Sequence, residues 1–473
     1  MTEESLQVAV VGAGPAGLTA AVAAAEHGAR VILVDAGDQP GGQFWRHPSE
    51  RVRHGDEGEP VNSGAHHWAE HLRLRRRLAE LRAAGRVVVH TDTQVAAIRE
   101  TGTGLLLHTQ SPRDAGPRPD LTADRLVLAT GAYDRQLPIP GWDLPGVFSA
   151  GGVQALLKGS GTAPGRRLVI AGTGVFLLPV AVQAAAAGVR VEAVCEANPI
   201  RRWLPGLHRA TLVSKAVEGA GYALALLRHR IPYRTSTAIT EILGTDRVEA
   251  VVTSKLRADG SAVPGSQRRI ETDTVALGWG FTPQLELGLS LGLQTRTDTD
   301  GSLVLVVDDQ QHTSHPRVWA AGESTGIGGV DLALIEGGLA GAAAAGTPRR
   351  PPAKLARQRG FARTLHQASP VPTRWAQWLR PDTTVCRCEE VTVAELVGVR
   401  DDLAAGDGRT AKGLSRAGMG WCQGRICGYA AACLTERTPT PSARSLAQVG
   451  RRPLAGPVSL AELGEWDAEA SGS

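Results

Sequence analysis

One pattern, met first at 6–35 and again at 167–196, constrains this chain more than any other feature. Residues 6–11 form an apolar run too short for a helix, and the run ends on Gly12-Ala13-Gly14-Pro15-Ala16-Gly17. Helix formers fill 18–27, Gly28 stops them, and the β-branched stretch 30–34 ends at Asp35. The second copy runs from 167–171 through Gly172-Thr173-Gly174-Val175-Phe176-Leu177, a helical stretch to Ala187, a stop at Gly188 and an apolar run that ends at Glu196. First glycine and closing acid are 23 positions apart in one copy and 24 in the other. Strand, glycine turn, helix and strand make a βαβ unit with parallel strands. Each unit is later closed by an apolar strand ending in glycine, 126–131 in the first and 274–280 in the second.

The glycines have separate tasks. Gly12 permits the tight turn, Gly14 lets the backbone approach a pyrophosphate, and Gly17 lets helix and strand pack closely. Pro15 and Ala16 open the helix, whose first N–H groups and dipole favour an anion. Asp35, which closes the strand after that helix, is placed to accept from ribose hydroxyls. The second loop departs from this pattern, because Leu177 stands where the third small residue belongs and is expected to hold the helix off the strand. NAD(H), another nucleotide or no ligand all remain open there. Glu196 favours NAD(H) over NADP(H) by repelling a 2′-phosphate, although Arg201 and Arg202 are close in sequence.

Residues 317–323 read as another buried strand, ending at Gly322-Glu323, and 332–345 as an Ala- and Gly-rich helix; both are expected to return to the first fold. The expected organisation is α/β, with two interleaved Rossmann-like domains and a small α-rich C-terminal domain. The first domain takes 1–155 and 281–346, and the second takes 156–280. Residues 347–380, which include Pro351-Pro352, read as a linker, 381–440 as a cysteine domain, and 441–473 as a tail that wraps or frays.

Five of the six cysteines fall between Cys386 and Cys433, which suits one metal centre better than a disulfide framework. Cys386 and Cys388 form a C-x-C pair, and beyond the stretch 389–421 Cys422 and Cys427 form a C-x4-C pair. Four thiolates in that arrangement suit a [2Fe–2S] cluster, with structural zinc as the alternative. Cys433 has apolar neighbours and reads as a packed helix residue. His47, His66 and His67 read as solvated loop side chains rather than bases, so no catalytic residue is assigned. No C-x-x-C occurs before residue 345, which excludes a dithiol relay.

Composition narrows the classes. The 473 residues carry a formal charge of +4 and only 4% aromatics, which gives no strong field for nucleic acid. The acidic start Met1-Thr2-Glu3-Glu4 is not a secretory signal, and no apolar run approaches ~20 residues, so no membrane span and a cytoplasmic location are expected.

Residues 1–345 resemble the two-dinucleotide-domain flavoprotein superfamily. The resemblance implies FAD on the first loop, with Pro40-Gly41-Gly42-Gln43 near the flavin and Ala129-Thr130-Gly131 lining it. Gly322-Glu323 stands where that superfamily has Gly-Asp contacting the ribityl chain and pyrophosphate; glutamate is one methylene longer. Residues 412–427 with the first cysteine pair are similar to the bacterioferritin-associated-ferredoxin-like [2Fe–2S] domain. Together they resemble the α subunits of hydrogen cyanide synthase, opine oxidase and dye-linked proline or D-hydroxyproline dehydrogenases. That resemblance implies a hetero-oligomer in which a β flavoprotein oxidises the amino acid, this chain relays the electrons, and a small ferredoxin-like subunit is a further partner. Two other readings compete: a self-contained NAD(P)H-dependent FAD and iron–sulfur reductase, and an iron–sulfur interaction module with a vestigial flavin fold. Leu177 argues against the first, and the intact loop at Gly12–Gly17 argues against the second.

Overall fold

The computed structural model describes residues 5–49, 67–113, 118–202 and 212–471. His66 lies outside them. The first sheet is all parallel, in the order Val318–Ala320, Arg125–Leu128, Gln7–Val11, Arg30–Val34 and Val87–His90. Its strands are runs of Val, Leu and Ile, as befits a parallel sheet covered by helices. Helix Pro15–Glu26 packs against helix Val330–Ala344 with their backbones in contact: a Cβ on Gly337 or Gly341 would lie 2.2 Å from the carbonyl oxygen of Ala16 or Ala20. The two late elements therefore complete the first fold.

The second sheet repeats the plan in the order Tyr233–Thr235, Arg190–Glu196, Arg167–Gly172, Thr274–Gly278 and Val147–Ser149. Strand Val147–Ser149 pairs with Val275–Leu277, so this piece of the segment expected in the first domain is built into the second. Strands Ala132–Asp134 and Phe281–Pro283 pair antiparallel between the two units.

The stretch expected as a linker is largely structured. Pro352 is the N-cap of helix Ala353–Ala368, because a proline that would break a helix interior is compatible with its start. Leu355 of that helix packs with Leu332 and Leu339. Residues 369–378 then cross the second unit, where the Trp378 indole donates to the Gly260 carbonyl over 3.2 Å.

In the cysteine region, strand Thr384–Cys386 pairs with Val391–Thr392, and a reciprocal cap between Thr392 and Glu395 starts helix Val393–Asp402. Cys433 is buried on helix Gly428–Glu436, as its apolar neighbours suggest. The tail wraps: helix Ala443–Gly450 packs beside the cysteine helices, and the Trp466 ring stacks on His108 at 4.6 Å. Among the described residues no helix is long and apolar enough to cross a membrane.

Candidate functional site

At the first loop Gly12 adopts φ +101°, and a Cβ there would lie 2.3 Å from the Ala129 carbonyl oxygen. A Cβ on Gly17 would lie 1.7 Å from the Gly12 oxygen, so helix and strand meet only without side chains. Gly14 faces Gly42, whose Cβ would come within 2.8 Å of the Gly14 Cα, and the Gly41 N–H donates to the Ala13 carbonyl over 2.8 Å. The Pro40–Gly42 stretch thus lies against the glycine loop, and Gln43 beyond it accepts from Arg46 over 2.8 Å.

Asp35 does a second job beside the one its position suggests. Its carboxylate accepts the Ala13 N–H, and the Gly37 N–H over 2.6 Å, so it braces the loop from behind. Thr130 donates its hydroxyl to the Gln284 carbonyl over 2.6 Å, and the Gln284 N–H bonds the Gly131 carbonyl over 2.9 Å. Gly322, at φ +76°, would bring a Cβ within 2.9 Å of the Ala16 Cβ. The Glu323 carboxyl beside it has no hydrogen-bond partner among the described residues, and burial with the neighbouring Asp134 charge pushes it up to about 7. Side-chain-free glycines, a helix N-terminus and an orphan acid fit the pyrophosphate and hydroxylated chain of FAD.

Sequence reasoning missed the polar residues just past this strand. Asp134 accepts the Ser149 hydroxyl over 2.6 Å, and the Ser149 oxygen in turn accepts the Gly152 N–H over 2.9 Å at the start of helix Ala150–Ser160, while burial raises the Asp134 carboxyl. Tyr133 accepts from Arg425, which lies between Cys422 and Cys427. A polar pair directly after a buried strand ending in glycine is the signal that marks them. His47 is not the solvated side chain expected: it is buried edge-on to Trp68, with the ring of His71 5.6 Å away. His67 sits before helix Trp68–Ala83, 3.8 Å from Asp331.

The four cysteines converge. Cys427 hydrogen-bonds both Cys386 and Cys422, and Cys422 in turn bonds Cys388. The bond from Cys427 brings Cys386 down to about 6 and Cys422 to about 5, and Cys427 itself is raised. The Gly418 N–H donates to the Cys386 sulfur over 3.4 Å, and a Cβ on Gly420 would lie 2.3 Å from the Cys388 Cβ. Arg425 ties these cysteines to strand Ala132–Asp134: it donates to the Tyr133 hydroxyl over 2.8 Å and pairs with Glu286 at 2.8 Å.

The second loop differs in detail. Its helix begins only at Leu177, the position equivalent to Gly17, while the first helix begins two residues before Gly17, at Pro15. The Leu177 side chain is buried against Gly278. Glu196 accepts the Gly174 N–H over 2.7 Å and the Asn198 N–H over 3.0 Å, and burial pushes its carboxyl up to about 7.

This is the architecture of an FAD-dependent oxidoreductase built on two nucleotide folds. Residues 6–345 match the model of the pyridine nucleotide-disulphide oxidoreductases, and the chain belongs to that family, for which FAD and a second nucleotide site are the rule. Over nearly its whole length it is similar to an opine oxidase subunit of Rhizobium meliloti, at 32% identity over 96% of this chain and 98% of the relative. It is also similar to hydrogen cyanide synthase subunit HcnB of Pseudomonas aeruginosa, at 31% over 92% of this chain and 94% of the relative. Both relatives are named as subunits of larger enzymes. The crystal structure of L-proline dehydrogenase from P. horikoshii superposes with a TM-score of 0.64 over 98% of this chain and 80% of that one, at 18% identity, which shows a shared fold.

Proposed function

We propose that this chain is the electron-transfer subunit of a hetero-oligomeric amino-acid dehydrogenase acting on a proline-like, opine-like or glycine-type donor. A partner flavoprotein subunit oxidises the donor, a small ferredoxin-like subunit is a further candidate partner, and the assembly works in the cytoplasm. When bound, FAD accepts an electron pair and a [2Fe–2S] cluster passes electrons singly. Gly12, Gly14, Pro15, Ala16, Gly17, Asp35, Gly42, Gln43, Thr130, Gly131, Gly322 and Glu323 are the residues that hold the flavin. Cys386, Cys388, Cys422 and Cys427 hold the cluster, a reading supported by their C-x-C and C-x4-C spacing.

The observation that carries the reading is the bond from Arg425 to Tyr133, because it seats the cysteine loop beside the strand that leaves Thr130-Gly131. The similarity to two enzyme subunits over almost the whole chain supports the rest. No side chain at the first loop is placed as a base, and the chain's own residues there bind and orient. The test is to purify the untagged complex from its source cell, identify co-purifying chains by mass spectrometry, and assay dye reduction with proline, D-hydroxyproline and opines. Activity only in the presence of a second flavoprotein supports the reading; robust amino-acid oxidation by the isolated chain overturns it.

A further inference from the structure

The family to which this chain belongs is named for a pyridine nucleotide, and the second glycine loop is where the fold would hold one. The residues present do not fit that group, for three separate reasons.

The first concerns the helix. A pyrophosphate is held by the free N–H groups of a helix that begins directly after the second glycine. Here Val175 and Phe176 are spent in a tight turn: the Leu177 N–H bonds the Gly174 carbonyl over 3.3 Å, and the Leu178 N–H bonds the Val175 carbonyl over 3.1 Å. The helix proper starts two residues late, with Leu177 wedged against Gly278. The second reason is the acid. At the first loop Asp35 takes the N–H groups of Ala13 and Gly37. Glu196 is one methylene longer and takes the N–H of Gly174 itself, at the apex of the loop.

The third reason is the segment that follows helix Ala353–Ala368. Asn198, already bonded to Glu196 through its side-chain amide at 3.1 Å, donates from the same nitrogen to the Pro370 carbonyl at 3.0 Å. Ser369 stands over the loop, with its Cβ 3.7 Å and its Oγ 3.9 Å from the place a Gly174 Cβ would take. Beyond it Pro372 packs on Gly260, Thr373 donates to the Asp259 carbonyl over 2.6 Å, and Trp375 and Trp378 are buried. The crossing segment is anchored on both sides of the loop.

The geometry points to a closed second site: Glu196, Asn198 and the crossing segment Ser369–Pro370 occupy the second glycine loop from within the chain, so that it takes no NAD(H) or NADP(H). The loop then serves as a structural joint between the second fold and the cysteine domain. Reducing equivalents enter this chain without a nicotinamide, whatever donor its partner oxidises.

The experiment uses the flavin-loaded full chain. NADH and NADPH are titrated to 1 mM by calorimetry, and amide hydrogen exchange is followed over 172–178 and 366–372 with and without nucleotide. No saturable heat and unchanged exchange in both segments are expected. Saturation at tens of micromolar together with new protection of 172–178 overturns the proposal. Asn198→Ala provides the second arm: exchange at 369–372 should rise at least tenfold while flavin content stays constant. Unchanged exchange there would show that Asn198 does not hold the segment in place, which also overturns the closure described.

Discussion

The Arg425 guanidinium donates to the Tyr133 hydroxyl over 2.8 Å, joining positions 292 residues apart and placing the loop between two cysteines beside the strand Ala132–Asp134 that lies between the two nucleotide folds. Glu286 completes the contact by pairing with Arg425 at 2.8 Å and with Arg452 at 3.3 Å, and the three side chains are largely withdrawn from water. Tyr133→Phe removes one charge-assisted hydrogen bond and should cost about 1 kcal/mol. Arg425→Ala leaves a buried carboxylate with one partner fewer and should cost about 2–4 kcal/mol. Denaturant midpoints of the three proteins check the order, and an Arg425→Ala loss no larger than that of Tyr133→Phe would remove Glu286 from the account.

The glycines of the first loop should divide into two classes. Gly14 has no atom closer than 4.0 Å to a built Cβ, so Gly14→Val folds and fills the space of the pyrophosphate, and flavin per chain falls close to zero. Gly17→Ala instead drives a methyl group into the Gly12 carbonyl and should cost about 3 kcal/mol or more of stability. Flavin absorbance and thermal unfolding separate the two effects. A folded Gly14→Val protein with full flavin would move the cofactor elsewhere.

Cys386→Ser, Cys388→Ser, Cys422→Ser and Cys427→Ser should each lose iron and acid-labile sulfide from about two of each per chain, and Cys433→Ser should keep both. Anaerobic purification followed by metal and sulfide analysis is the measurement. Stoichiometric zinc in place of iron would overturn the iron–sulfur reading.

Glu196 ties stability to pH. Burial raises its folded value to about 7 against 4.5 in the unfolded chain, the N–H donors of Gly174 and Asn198 opposing that rise. The folded state therefore binds the proton more tightly. The stabilisation is fully present below pH 4.5 and is lost as pH rises through 7, by about 3 kcal/mol at most. In urea titrations at several pH values, Glu196→Gln should flatten that fall relative to the unsubstituted chain. Parallel pH profiles would assign the dependence to other groups.

Much of this was legible locally. A strand, a glycine turn, a helix and a closing acid follow one another without interruption, so Gly12–Asp35 and Gly172–Glu196 announce their folds, and the paired spacing of the cysteines singles out the four thiols that lie near one another. What stayed hidden depends on distant partners. Val147–Ser149 is a strand of three residues and finds its sheet only through Thr274–Gly278. His47 looks like a loop residue until Trp68 and His71 close around it. Pro352 reads as a break because only the Leu332 and Leu339 surface rewards a helix there. The Arg425 to Tyr133 bond has no local trace at all.

The return of Val318–Ala320 to the edge of the first sheet bears on how the chain is made. During synthesis the loop at Gly12–Gly17 emerges well before residues 318–344, so its sheet lacks an edge strand and its helix lacks the facing Gly337 and Gly341 until helix Val330–Ala344 has left the ribosome. By then the inserted second fold has most of its strands in hand. The first nucleotide fold is thus begun before the second and finished after it, and a nascent chain halted near residue 300 would leave bare the face of helix Pro15–Glu26 that meets Gly337 and Gly341.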